Sequence, residues 1–84
     1  MKEVKEDVLK DIFARTLNVE KEIINDDFKY GEAPNWDSVN HMSLVAEIEN
    51  EFGISLEMDD IIDMSSFKKA KEILEKYGIK IVEG

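Results

Sequence analysis

Three stretches of this chain repeat their apolar residues at helical spacing, and each is closed by a residue that tolerates a left-handed turn. In the first, Val4, Val8 and Ile12 form one i, i+4 ladder and Leu9, Phe13 and Leu17 a second, up to Asn18. In the second, Met42, Leu44, Val45, Ile48 and Phe52 fall on one arc, and Gly53 ends the run. In the third, Phe67, Ala70, Ile73, Leu74 and Tyr77 make a narrower stripe that starts after Ser65 or Ser66 and stops at Gly78. Each such face must be buried against another, and 84 residues leave room for one core only. The expected fold is therefore all-α, a small four-helix bundle of three long helices and one short one in a single domain. Its expected bounds are residues 1–18 for the first helix, 19–36 for a long loop, 37–53 for the second helix, 57–64 for the short third and 66–77 for the last.

The connections are less regular. From Val19 to Asn35 the apolar residues Ile23, Ile24, Phe28 and Tyr30 lack a clean period, and Asn25-Asp26-Asp27, Gly31 and Pro34 read as turns. A loop this long in a small domain has to be anchored by its own side chains. Between Ile54 and Met64 the apolar residues Met58, Ile61, Ile62 and Met64 are set among acidic ones, enough for one short helix. Ile79-Lys80-Ile81-Val82 alternates like a strand, but an all-α chain offers it no partner, so it is read as an extended tail.

Charge and composition exclude several classes. The net charge is −9, and all of it belongs to one region: from Tyr30 to Phe67 there is no Lys or Arg, while nine carboxylates lie between Glu32 and Asp63. Such a field repels nucleic acid and anionic lipid and favours basic protein surfaces. With no cysteine there are neither disulfides nor thiolate metal sites. No run approaches the ~18 apolar residues of a membrane span, and a cytoplasmic location is expected.

The chemistry worth weighing centres on Trp36-Asp37-Ser38-Val39, at the entry to the second helix. A nucleophilic serine needs a base, and the single histidine, His41, falls near the inward arc and is expected to be a satisfied, partly buried side chain. No glycine-rich element suggests an oxyanion hole. Asp59, Asp60 and Asp63 lack the spacing of a calcium loop, so no metal site is assigned. On the residues alone, Ser38 or Asp37 is an ordinary N-cap worth ~1 kcal/mol. Val39, Met42 and Ala46, with Glu49 beside them and Glu47 on the wet face, are either a half-buried helix border or a docking strip.

Asp37-Ser38-Val39, an apolar helix closing in Glu49-Asn50-Glu51-Phe52-Gly53-Ile54, an acidic short segment and a Ser-capped last helix together resemble an acyl carrier protein, over nearly the whole stretch from Val4 to Tyr77. The resemblance implies a non-catalytic carrier. Ser38 would receive phosphopantetheine from coenzyme A through a separate, magnesium-dependent phosphopantetheinyl transferase, and Asp37 would help that enzyme recognise the site and place its ion. The arm's thiol would then carry acyl groups as thioesters. The implied partners are acyl-transferring or acyl-activating enzymes with basic patches, met by a monomer through Val39, Met42, Ala46, Glu47 and Glu49. Fatty-acid, polyketide-like or other specialised acyl pathways fit; an aminoacyl or peptidyl carrier and an unmodified acidic helical interaction module are the alternatives. Val39, Asn40 and Ser43 depart from the leucine and acidic residues common in the family, and Trp36 is also unusual there. These departures point to a carrier with dedicated partners.

Overall fold

The computed structural model describes residues 2–83. In chain order it contains β1 (Lys2–Lys5), α1 (Glu6–Leu17), a 3-10 turn (Lys21–Ile23), α2 (Ser38–Phe52), α3 (Met58–Asp63), α4 (Phe67–Lys76) and β2 (Ile79–Val82). The helices end where their closing residues demand. Asn18 takes the left-handed conformation at φ 56° and its N–H donates to Ala14 O; Gly53 does the same at φ 66°, donating to Glu49 O. At the other ends, Asp37 caps α2 by accepting the Asn40 N–H, and Ser66 caps α4 by accepting the Lys69 N–H.

The all-α expectation has to be corrected. The chain is mostly helical, with four α-helices among the described residues, but residues 2–5 do not begin the first helix. They form a strand that pairs in parallel with the segment expected as an extended tail, Lys2 opposite Ile79 and Val4 opposite Ile81. Lys5 is already extended, at φ −68° and ψ 141°, so α1 starts at Glu6. The Val4–Val8–Ile12 ladder is broken physically: Ile12 is buried, Val8 is exposed, and Val4 leans on the core from the sheet. A two-stranded sheet is marginal alone. Here it is seated by Ile79, which is buried, and by Ile81 and Val4 packed against the core.

Phe13 of α1 lies at the centre of that core. Its ring meets Phe67, Trp36 and Phe28 edge-on at centroid distances of 5.1, 5.4 and 6.4 Å. Around it pack Leu9, Ile12 and Leu17 of α1, Leu44, Val45 and Ile48 of α2, and Ala70, Ile73 and Leu74 of α4. Fully burying a large apolar side chain contributes about 1.5–3 kcal/mol, so these helix faces carry most of the fold. The long loop is pinned in the way its length requires: Ile24, Phe28 and Trp36 are buried, Asn35 Nδ2 donates to Leu17 O at 2.9 Å, and Phe67 N donates to Phe28 O at 2.9 Å. No described helix is long and apolar enough to cross a membrane.

Candidate functional site

Asp37 is extended, at φ −117°, and its carboxylate accepts the Asn40 N–H at 2.8 Å. Because Asp37 makes the cap, Ser38 is free of it: Ser38 is the first residue of α2 and is exposed. The partner its Oγ has is the hydroxyl of Tyr30, at 3.1 Å. No acidic side chain occupies the first turn of α2, where the helix dipole favours negative charge.

Trp36 and His41 build the floor beneath this serine. Trp36 is 3% exposed, and its indole N–H donates to His41 Nδ1 at 2.9 Å. Indole nitrogen can only donate, so that imidazole nitrogen is the acceptor and the ring proton is assigned to Nε2. From there it reaches Ile61 O at 2.8 Å. The Ile61 carbonyl belongs to the last turn of a six-residue helix and has no intrahelical partner of its own. With both ring nitrogens engaged elsewhere, His41 is no base for Ser38, in keeping with a satisfied, partly buried histidine. Tyr30 sits edge-on to both rings, 6.1 Å from Trp36 and 5.7 Å from His41.

Ser38 opens on a cavity of about 370 Å³ between α2, α3 and the long loop, walled by Met42, Met58, Ile61, Ile62 and Met64. The wall formed by α3 is held by polar bonds. Asp60 is 7% exposed and accepts Lys76 Nζ at 2.5 Å and the Tyr77 hydroxyl at 2.6 Å; that hydroxyl in turn accepts the Glu57 N–H at 2.9 Å. The Lys76 ammonium, then the Tyr77 hydroxyl, hold the Asp60 carboxyl below its ordinary value. Asp60 in return raises the Tyr77 phenol.

The residues considered for docking divide in two. Val39 is 76% exposed, Met42 53%, and Ala46 continues the same exposed strip. Glu47 instead turns toward α1, 3.8 Å from Arg15 Nε, and Glu49 accepts the Leu56 N–H at 2.8 Å, clasping the segment that leads to α3. Two exposed apolar side chains of α3, Met58 and Ile62, extend the strip around the cavity mouth. Their i, i+4 spacing was visible in the sequence, whereas nothing local to Tyr30 indicated that it would meet Ser38. Among the described residues no cluster of three or more His, Asp or Glu is placed to hold a metal ion.

An exposed hydroxyl that makes no cap, on the first turn of a helix and beside an apolar cavity, fits a phosphodiester with a long arm: free first-turn amides and the dipole favour the anion. A family model described as the phosphopantetheine attachment site matches residues 7–74. The chain is also similar to the acyl carrier protein of Chloroherpeton thalassium (strain ATCC 35110 / GB-78), 37% identical over 67 residues that cover 79% of this chain and 84% of that one. The chain belongs to the acyl carrier protein family, non-catalytic bearers of phosphopantetheine that work with a phosphopantetheinyl transferase and acyl-handling enzymes.

Proposed function

We propose that Ser38 is the attachment point of the phosphopantetheine arm and that the loaded protein, a cytoplasmic monomer, carries acyl groups for a dedicated biosynthetic pathway. The observation that carries this reading is the division of labour at the helix start: Asp37 caps, and Ser38 is left exposed at the cavity mouth. In the transfer, Ser38 Oγ forms a bond to the phosphorus of coenzyme A's phosphopantetheine end, the bond from that phosphorus to the nucleotide breaks, and the serine proton passes to a base on the transferase. His41 is not that base, since both its ring nitrogens are occupied. Asp37 caps with Oδ1 and leaves its second oxygen for the transferase's magnesium.

The apolar walls suit an aliphatic cargo, in fatty-acid, polyketide-like or related chemistry. Docking runs through Val39, Met42 and Ala46, extended by Met58 and Ile62, with acidic neighbours steering basic partners in a salt-sensitive way. The test is intact mass after incubation with a promiscuous phosphopantetheinyl transferase, coenzyme A and magnesium. Wild-type protein gains one arm and Ser38→Ala gains none; a Ser38→Ala protein that still gains mass would move the site elsewhere.

A further inference from the structure

We propose that Tyr30 is a positioning residue of the modification site, its hydroxyl turning from Ser38 Oγ to the phosphate once the arm is attached. The inference rests on Ser38 being the attachment point. Its starting observation is the 3.1 Å contact between the Tyr30 hydroxyl and Ser38 Oγ. Folding does not account for that contact. Both groups are exposed, and a neutral hydroxyl pair at the surface exchanges almost evenly with water.

The tyrosine is nevertheless held firmly. Its backbone N–H donates to Ser65 O at 2.9 Å, and its ring lies edge-on to Trp36 and His41, which are themselves joined by a hydrogen bond. The loop aromatics thus place a hydroxyl donor beside the modifiable oxygen at little further cost in freedom. The non-bridging oxygens of a phosphodiester lie two bonds from Oγ, through the phosphorus, within reach of that donor. An anionic acceptor also makes a stronger bond than the neutral serine does. The chain has no Lys or Arg from Gly31 to Ser66, and none lines the cavity. A neutral donor therefore does the work a cation could do. Because Tyr30 and Ser38 both border the apolar cavity, a phosphate held by Tyr30 sits at its mouth.

Tyr30→Phe removes the hydroxyl and keeps the ring. Wild-type and Tyr30→Phe proteins are loaded with coenzyme A and a promiscuous transferase, checked by intact mass, and compared by phosphorus NMR. The folded wild-type phosphodiester resonance is expected to be displaced from its position in the urea-unfolded holo protein, and Tyr30→Phe is expected to move it back by more than the line width. The two apo proteins should unfold at the same urea midpoint, while loading raises the wild-type midpoint more than the variant's. Identical phosphorus shifts and identical midpoint changes in the two holo proteins overturn the Tyr30 assignment and leave Ser38 standing. A wild-type protein that takes no arm overturns the attachment reading and this inference with it.

Discussion

The two segments that flank the cavity beside Ser38 are held by opposite means. The long loop on one side inserts Ile24, Phe28 and Trp36 into the core, where Phe28 and Trp36 stack at 5.6 Å and both meet Phe13. On the other side, α3 buries a single residue of its own, the carboxylate Asp60, and turns Met58 and Ile62 outward. Its attachments are directional: His41 to Ile61 O, Asp60 to Lys76 and Tyr77, Tyr77 to the Glu57 N–H, and Glu49 to Leu56 N–H. A hydrogen bond contributes a net ~1 kcal/mol, whereas a buried aromatic ring contributes several times that. The loop is therefore held chiefly by apolar burial, and α3 chiefly by polar bonds with Ile61 as its apolar contact to the core; α3 is expected to open at the lower free energy.

The contrast can be broken most severely on the aromatic side. Trp36→Ala removes a ring that touches Phe13, Phe28, Tyr30 and His41, and a loss of about 3–5 kcal/mol is expected. Urea unfolding measures it, and a loss below ~1 kcal/mol would mean that the loop is not held by its aromatics. His41→Ala acts on both walls at once, since it leaves the Trp36 indole N–H and the Ile61 carbonyl without their partner. The expected cost is about 1–3 kcal/mol. Amide hydrogen exchange should accelerate in α3 and much less in the long loop; equal acceleration in both would erase the distinction.

A gentler probe is acid. The folded state holds the Asp60 carboxyl below its ordinary value, so its contribution is present above the unfolded aspartate value of about 4 and is lost as pH falls through the folded one. Glu6, lowered chiefly by its hydrogen bond from Lys71, adds loss of the same sign. Asp60→Asn removes the first contribution at neutral pH. Wild type should therefore be the more stable at pH 7, and the two proteins should converge on acidification. Parallel curves across that range would show that Asp60 does not tie α3 down through its charge.

Much of the site was legible before its structure, for reasons that differ by residue. His41 fell near the inward arc by periodicity alone, and it is indeed satisfied and partly buried. Ile23, Ile24, Phe28 and Tyr30 stood out as loop anchors, since so long a connection needs them; Ile24 and Phe28 are buried as expected, Ile23 and Tyr30 stay exposed, and Trp36 is the further anchor. Their mutual arrangement did not stand out, because it depends on how the loop crosses α1 and α2. On a helical wheel Glu49 lies beside the apolar strip and Glu47 on the wet face, and the wheel carries no information about Arg15 on α1 or the Leu56 N–H in the next connection.

Periodicity, turn residues and charge placement determined by themselves that the chain would form helices near these positions and concentrate its negative field after Tyr30. They act within a turn or two of the residues concerned, so a window of sequence contains their physics. The tertiary structure alone decided what needs distant partners. Val4 satisfied a helical ladder, yet the strand Ile79–Val82, at the far end of the chain, gave residues 2–5 a ladder of backbone hydrogen bonds instead. Asp37 and Ser38 were equally able to cap α2. The backbone's extended conformation at Asp37 assigned the cap there, and the position of Tyr30 gave the freed serine its neighbour.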